Sequence, residues 1–448
     1  MPDNEILNNL NKTAQELLFA LAEHAYPVSV KYAYYNATQP NRDIGIALPK
    51  AMKNMKVGVG WATRAVNTLG DRLNFDGFAN DTLGINNTME DIGAFKALAR
   101  AKTDAIIAGC SFVAISGEGK RYRITPFSAQ EATGIIDENT GLLVKGIAVT
   151  EWYAYNSSLD ADRKWGKLGL VPKNYTLFTS DYTVKFINKQ IAEIRPNATG
   201  RPLLHVLTHR QSADRPFGKA RVSNTVRRIV DEVGRLKVRY EIAAEFYSTP
   251  QRYINGLMQG ATKDPDIDSQ IGKVWAITKD DDGDKPEIGQ LAQMTISQFS
   301  EQKKDLARDF CAETALTLRN LGYETSNPTS AESLRSMSDD LLLEAQECQN
   351  EMGGQFKNIA ISLIMAENSI RDVPENARSL KPSWKPIFQL DLGAAGDALY
   401  KLFEIMPELA GTTTAYRMLG MSISEAEELA ARKANTRNAT FMQTEEQA

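Results

Sequence analysis

The 448-residue sequence predicts an α+β protein, with helices and an antiparallel sheet segregated along the chain. Three observations carry this. Up to residue 108 apolar residues recur at helical spacing, and from Cys110 to Asn188 short β-branched and aromatic runs alternate with Gly, Asn, Asp and Ser. Beyond Lys219 long helical patterns return, interrupted once by an acidic segment punctuated with Gly, Pro and Asp. The length exceeds what one core normally fills, so two or three structural regions are expected.

Residues 4–24 read as an amphipathic helix, because Ile6, Leu10, Leu17, Leu18 and Leu21 share one face. Tyr32-Ala33-Tyr34-Tyr35 and a polar loop to Asp43 follow. Pro49, a good first-turn residue, opens a second helical stretch carrying Val57, Val59, Trp61, Val66 and Leu69, which ends near Gly70. Gly58 and Gly60 weaken its middle. Thr88-Met89-Glu90-Asp91 is a capping signal for a third helix over about 89–108. The runs Phe112–Ile115, Tyr122–Thr125, Ile147–Thr150 and Tyr182–Phe186 then read as antiparallel strands and hairpins, so that 1–210 form one α+β domain.

Lys219–Tyr247 spans 29 residues, roughly 43 Å if continuously helical. Its seven Lys/Arg stand against Asp231, Glu232, Glu241 and Glu245, a net charge of +3. From Gln251 to Met294 the balance reverses, with eight Asp/Glu against five Lys/Arg. There two strand-like runs, Arg252–Leu257 and Lys273–Thr278, flank Asp264-Pro265-Asp266, and Asp280–Asp284 makes a solvated turn. Ile296, Phe299, Leu306, Phe310 and Leu316 restore helical periodicity from Thr295 to about Arg319. Asn320–Pro328 is too rich in turn formers to continue it. Thr329-Ser330-Ala331-Glu332 is a capping box opening a helix to about Glu367, with Gly353-Gly354 as its expected bend. Trp384–Phe388 reads as a returning strand, and 391–436 as two or three helices broken at Pro407, with order fading after Asn438.

Composition excludes several classes. Apolar content of 42% and charged content of 24% are those of an ordinary globular chain. The three cysteines, Cys110, Cys311 and Cys348, give neither a disulfide framework nor a zinc pattern, which fits a reducing compartment such as a cytoplasm. Met1-Pro2-Asp3-Asn4-Glu5 does not resemble a signal peptide, and no apolar run approaches the length of a membrane span. A net charge of −4 gives no global reason for tight nucleic-acid binding, so contact with DNA must be local or transient.

Catalytic motifs are missing as well. Neither a Gly-x-x-x-x-Gly-Lys-Ser/Thr loop nor a Gly-x-Ser-x-Gly elbow occurs. His205 and His209 have the spacing of helical metal ligands but lie in a strand-like run after Pro202, where a buried or hydrogen-bonded pair is the plainer reading. The Asp280–Asp284 run starts like a calcium loop, yet Leu291 stands where a bidentate Glu is needed. No metal and no cofactor are expected, and no enzymatic activity. Arg221, Arg227, Arg228, Arg235, Lys237 and Arg239 could neutralise phosphates, or be laced by acidic partners and neighbouring subunits.

Four motifs in order resemble the portal proteins of tailed bacteriophages, of the sort carried by siphophages of Gram-positive bacteria. Ile44-Gly45-Ile46-Ala47-Leu48-Pro49, followed by Gly60-Trp61 and Asp71-Arg72-Leu73, is similar to that family's N-terminal signature. Phe217-Gly218-Lys219-Ala220-Arg221 resembles the lead-in to its first stem helix, and Phe246-Tyr247-x-x-Pro250-Gln251-Arg252 its stem-to-clip junction. Asn327-Pro328-x-Ser330-Ala331-Glu332 resembles the start of its long wing helix. The likeness covers roughly 40–400; Thr317-Leu318-Arg319-Asn320 departs from it, because relatives often carry a Gly-x-Pro step there.

The resemblance implies a multi-region fold: an α/β wing (1–218), stem helix 1 (219–247), a small α/β clip (248–294) and stem helix 2 (295–318), then a tunnel loop (319–330), the long wing helix with its returning strand (331–390) and a helical crown and tail (391–448). It implies a homo-oligomeric ring of typically about twelve subunits at one capsid vertex. The ring would pass double-stranded DNA without sequence preference during packaging and ejection. Its partners would be the terminase large subunit, a head-completion or adaptor protein, and the major capsid and scaffolding proteins, with no membrane involved. Location would be the virion, after assembly in the host cytoplasm. Asn320, Tyr323, Glu324, Thr325 and Asn327 would be tunnel-loop residues facing DNA. Arg227, Arg228, Arg235, Lys237, Lys304 and Arg308 would be candidates to line the stem channel, and Asp264, Asp266, Asp281 and Asp282 would dock partners on the clip. Long helices whose apolar stripes exceed one monomer's needs agree with a ring. Two other readings stay open: another capsid-associated structural protein, or a metal-dependent enzyme of phage DNA metabolism.

Overall fold

The computed structural model describes residues 4–39, 57–117, 122–154, 170–247, 252–255, 287–290, 297–323, 339–387 and 392–433. It is mixed helix and sheet, as the α+β expectation requires. The chain divides into two compact units. The larger holds Met1–Gln39, Gly60–Arg227 and Thr314–Ala448; the smaller holds Pro40–Val59 and Arg228–Glu313. No helix among the described residues is long and apolar enough to cross a membrane.

The larger unit opens with α1 (Asn4–Tyr35), α2 (Trp61–Gly70), α3 (Ile85–Asp91) and α4 (Ala94–Ala108), with strand β1 (Phe75–Ala79) between α2 and α3. Helix α1 does not stop near residue 24; it runs through Pro27 and the Tyr32–Tyr35 cluster. The backbone donor lost at Pro27 is outweighed by side-chain anchors on the last turns. Tyr32 donates to Asp104 at 2.7 Å, Lys31 to the Ala108 carbonyl at 2.6 Å and Tyr35 to Asn67 at 3.0 Å. Helix α2 starts at Trp61 and not at Pro49: Gly60 sits at its N-cap and 57–59 are not helical, while 49–56 fall outside the described residues. The single helix expected over 89–108 is two helices, parted at Gly93 with a φ of 67°. Thr88 lies inside α3, whose opening amides at Ile85 and Asn86 are instead accepted by Asp81 at 3.0 and 2.8 Å.

Two antiparallel sheets follow. Strands β2 (Cys110–Ser116), β3 (Arg123–Ser128) and β9 (Leu204–Thr208) form one, in the order β3-β2-β9. The other holds β4 (Ala132–Ile136), β5 (Leu143–Ala154), β6 (Leu170–Phe178), β7 (Tyr182–Ile187) and β8 (Gln190–Pro196) in sequence order. All four strand-like runs of the sequence lie in these sheets, Tyr122 alone falling just before its strand. In β7 the alternation is plain: Val184 and Phe186 are buried while Lys185 points to solvent. Their face packs with Ile147, Tyr175 and Leu177 against Leu10, Leu17 and Leu21 of α1. Burying each such side chain contributes about 1.5–3 kcal/mol.

The C-terminal part returns to this unit as α7 (Asp339–Asn368), α8 (Glu375–Arg378) and β12 (Lys381–Trp384). Strand β12 pairs antiparallel with β1, Phe78 opposite Pro382. It therefore starts three residues before the expected Trp384–Phe388 run and shares only Trp384 with it; Lys385, just past its end, donates to the carbonyl of Asn74, the residue before β1, at 2.8 Å. The pair is welded by aromatic rings. Phe75 meets Phe356 edge-on at 4.9 Å and Trp384 at 5.3 Å, and Phe356 stacks on Trp384 at 5.6 Å. Helix α7 continues through Gly353-Gly354, where a bend was expected. The glycine serves a close approach instead, since a Cβ at Gly353 would lie 3.0 Å from Pro382 of β12. The chain then forms α9 (Leu392–Ile405), a 3₁₀ turn at Pro407–Leu409, α10 (Thr413–Met418) and α11 (423–433), with the break at Pro407 as expected.

Helix α5 (Asn224–Tyr247) runs from the larger into the smaller unit, which also contains strands β10 (Arg252–Asn255) and β11 (Glu287–Gln290) and most of α6 (Ser297–Thr314). Strands β10 and β11 pair antiparallel, Arg252 opposite Gln290. The Arg252–Leu257 run thus contributes a strand, whereas Lys273–Thr278 and the Asp280–Asp284 turn lie outside the described residues. Helix α5 begins five residues after Lys219. The Lys219 and Arg221 amides are drawn off to the carbonyls of His209 (2.7 Å) and Ile106 (2.9 Å), and Ser223 caps the helix by accepting from Val226 at 3.1 Å. Helix α6 stops at Thr314, short of the expected 318, because Ala315 takes a left-handed φ of 51°; a 3₁₀ turn at Leu318–Leu321 follows.

Candidate functional site

The stem candidates Arg227, Arg228, Arg235, Lys237, Lys304 and Arg308 lie on the two helices flanking the acidic segment, and the roots and faces of these helices are the part of the candidate site that can be built in full. At the root, Gly109 and Gly218 bring two chain segments into contact: a Cβ on Gly218, whose φ is +72°, would lie 2.5 Å from the His209 carbonyl oxygen and 2.6 Å from that of Gly109. The glycine of the Phe217–Arg221 motif is therefore set by crowding. Three residues on, Arg221 is buried. Its Nε donates to the Ala65 carbonyl of α2 at 2.9 Å, one Nη to the Thr314 carbonyl at the end of α6 at 2.6 Å, and the other Nη to Glu344 of α7. A guanidinium against the last carbonyls of a helix also complements its dipole.

The network extends along one stripe of α7. Glu351 accepts from the Thr208 hydroxyl at 2.8 Å and from the amides of Arg210 and Gln211 at 2.9 and 3.1 Å; Gln355 accepts from the Thr208 amide at 3.0 Å. Arg210 lies 3.6 Å from Glu344. His209 closes the cluster, its Nδ1 2.7 Å from the Lys219 carbonyl. Burial lowers His209 and His205 to about 4, so both are neutral at pH 7. The two histidines are thus the buried pair of the plainer reading. Among the described residues no group of three His, Cys, Asp or Glu is gathered to hold a metal ion. Cys110 is buried and its thiol pushed up to about 12 by desolvation.

The sequence left Arg221 either neutralising phosphates or laced by acidic partners; it is laced, to Glu344, although the node as a whole was not foreseen. A buried guanidinium with three partners cannot reach a phosphate. The available signal was Glu344, a carboxylate on the apolar stripe of Leu341, Ala345 and Cys348.

The other candidates are placed as follows. Arg227 is half-buried, bonded to Asn224 and 5.8 Å above the Tyr34 ring. Arg228 is exposed, Arg235 lies 3.8 Å from Glu232, and Lys237 donates to the Gly58 carbonyl at 3.4 Å. On α6, Lys304 is exposed and Arg308 holds Asp305 at 2.5 Å. Arg228, Arg235 and Arg239 share one face of α5, while Val230, Val233 and Leu236 are buried on another. Tyr240 of α5 meets Phe299 of α6 edge-on at 6.1 Å.

Asn320 closes the 3₁₀ turn, its amide oxygen accepting from the Thr317 amide at 3.0 Å and hydroxyl at 2.7 Å, and its carbonyl accepts from Arg64 at 2.9 Å. Tyr323 is half-buried just after it. Glu324, Thr325 and Asn327, and likewise Asp264, Asp266, Asp281 and Asp282, lie outside the described residues.

No family model matches the chain. The chain is similar to the portal protein of Mycobacterium phage D29, with 22% identity over 461 aligned positions covering 96% of this chain and 90% of that protein. It is equally similar to the portal protein of Mycobacterium phage L5, again 22% identical over 461 positions, covering 96% and 89%. The resemblance read from the four motifs is thereby borne out along nearly the whole sequence. A chain from the solved neck of an empty GTA particle, computed with C6 symmetry, aligns at a TM-score of 0.44 and 10% identity over 79% of this chain and 87% of its own length.

Proposed function

We propose that this chain is a phage portal, or head–tail connector, protein: a ring at one capsid vertex through which DNA is packaged and ejected. The observation that carries the reading is its colinearity with two portal proteins across 96% of its length. Within it, α5 and α6 are the stem, the acidic stretch holding β10 and β11 is the clip, and 319–330 form the tunnel loop. The sheets with α1 to α4 and α7 make the wing, and 391–448 the crown and tail. Terminase and then head-completion proteins dock on the clip, and the capsid surrounds the wing. The ring is a conduit and a docking platform, with no catalytic centre of its own.

Physical reasons support the assignment. A channel passing DNA of any sequence must not hold it, because many fixed Lys/Arg contacts release counterions and bind tightly. Basic side chains on α5 and α6 are interleaved with acids, as Arg235 with Glu232 and Arg308 with Asp305. The test is the assembly itself. Purified full-length protein is expected to give closed rings with an axial hole by negative-stain microscopy, and a ring-sized mass by light scattering. A stable monomer at micromolar concentration would overturn the reading, and metal-dependent cleavage of DNA by the pure protein would point to an enzyme instead.

A further inference from the structure

We propose that a cleft within the larger unit binds an acidic peptide segment of a protein partner, with Arg123 from one sheet and Lys185 from the other holding its carboxylates. The cleft has a volume of about 630 Å³ and is lined from both sheets. Strands β2 and β3 contribute Ser116 and Arg123, while Thr150, Thr176, Thr183 and Lys185 come from β5, β6 and β7. Leu203, just before β9, and Ala366 of α7 add apolar surface. A cavity of this size, part apolar and carrying a few convergent polar groups, is the usual form of a ligand site.

Its charges are out of balance. Val184 and Phe186 of β7 are buried in the core against α1, so strand alternation puts Thr183 and Lys185 on the opposite face, towards the cleft. Lys185 stands opposite Thr176 on β6 and Glu193 on β8. That acid is already taken, because Glu193 is held by Arg195 at 2.5 Å. Elsewhere on the same sheet Lys145 and Lys173 have carboxylate partners, Glu16 at 3.7 Å and Glu151 at 2.6 Å. Among the described residues the side chains of Lys185 and Arg123 have none, and the hydroxyls of Thr176 and Thr183 have no hydrogen-bond partner. Three cations thus line the cleft against one engaged carboxylate. A concave wall of one sign concentrates its field on an incoming anion, and the charge-assisted bonds it makes are the strong ones.

The walls are held ready. Tyr122 donates to the Ala366 carbonyl at 3.1 Å, Arg195 to the Gly117 carbonyl at 3.4 Å, and Asn197 to the carbonyls of Thr179 and Arg201 at 3.2 and 2.6 Å. Little ordering remains to be paid on binding. An extended peptide fits better than nucleic acid. A duplex is too wide for the cleft, and a single strand needs aromatic faces on which to stack its bases, whereas Tyr122 is the one aromatic residue in the lining.

Fluorescence anisotropy with full-length protein at low ionic strength tests the proposal, the probe being a fluorescein-labelled octapeptide of alternating Glu and Ser. This peptide is expected to bind saturably, and its counterpart with Gln for every Glu to bind far more weakly. Arg123→Gln and Lys185→Gln should each weaken the Glu peptide about three- to tenfold. Both side chains are exposed, so unfolding midpoints should stay near wild type. Lys96→Gln, which removes an exposed cation of α4 outside the cleft, should leave binding unchanged. Absence of saturable binding, equal affinity for the Gln peptide, or wild-type affinity in both charge variants overturns the proposal. An equal loss in Lys96→Gln does so too, since it would show diffuse attraction. A labelled single-stranded oligothymidylate that binds more tightly than the peptide, and is weakened by the same two variants, would give the cleft to nucleic acid instead. Should Lys185→Gln fail to fold, Arg123→Gln and the two peptides on wild type carry the test. Peptide binding is read whether or not the chain forms a ring, so failure of the portal reading and failure of this one are distinguishable.

Discussion

Replacing Gly218 by alanine separates backbone crowding from backbone conformation at the root of α5. The added Cβ would stand 2.5 Å from the His209 carbonyl oxygen and 2.6 Å from the Gly109 carbonyl oxygen, at a φ of +72°. Both oxygens are in use: the Lys219 amide donates to His209 at 2.7 Å, and the His209 amide to Gly109 at 2.9 Å. Relieving the overlap means moving backbone, so both hydrogen bonds weaken, at about 0.5–1.5 kcal/mol each. A left-handed alanine adds about 1–2 kcal/mol. The sum is a loss of about 2–5 kcal/mol. Gly141→Ala is the matched control, because Gly141 has a φ of +68° with nothing within 4 Å of its would-be Cβ; it should lose the conformational part alone. Urea unfolding midpoints of the full-length variants give the comparison, and hydrogen exchange at the His209 and Lys219 amides localises the effect. Equal losses for the two variants would refute the crowding argument.

Acidification should destabilise the fold between pH 6.5 and 4. His205 and His209 are lowered by burial from 6.5 to about 4, so their contribution is full above 6.5 and is lost as protons are taken up on unfolding, on the order of 3 kcal/mol each. A His205→Asn/His209→Gln variant should flatten the midpoint-versus-pH curve over that window, and an unchanged slope would show that neither ring is buried neutral. Charge reversal at Asp281 and Asp282 should leave rings intact while impairing docking of the packaging motor or connector; loss of folding would make that stretch structural. Lysines at Glu324 and Thr325 should also leave rings intact but shorten the packaged DNA, with the defect easing as salt rises. Normal packaging at every ionic strength would place that loop away from the DNA path.

Elements with strong periodicity were legible in the sequence, and their ends were not. The four strand-like runs and the break at Pro407 follow from local chemistry. The errors share a cause: tertiary partners overrule local signals at boundaries. Helix α1 passes Pro27 because Tyr32, Lys31 and Tyr35 find partners on α4 and α2. The run from Lys219 stays non-helical up to Ser223 because its amides are claimed by His209 and Ile106, and the strand near Trp384 is placed by the reach of β1. Gly353 illustrates the same limit, since its neighbour Pro382 is distant in sequence and no helical rule anticipates it.

At the candidate site the limit of the sequence is a different one. Charge sign can be counted from a sequence, but whether a charge is free, paired or buried depends on contacts. Of the basic residues of the 219–247 run and of α6, Arg221 is sealed in a network, whereas Arg228 and Lys304 face solvent. Taking the exposed charged residues of α5 and α6 among the described residues, Arg228, Arg239, Lys304 and Arg308 stand against Glu232, Glu241, Glu301, Asp305, Asp309 and Glu313. A surface with acids in excess cannot release many counterions from a duplex that presents one phosphate charge per about 1.7 Å, so its grip on DNA is weak and its salt dependence shallow. That is the property a sliding channel requires. A basic groove of the same length would bind DNA tightly and stall it. The net +3 of the 219–247 run, read from sequence as a basic helix, therefore overstates what passing DNA would meet. Part of that charge serves to hold the helix root, and the exposed remainder is offset by the carboxylates of α5 itself and of α6.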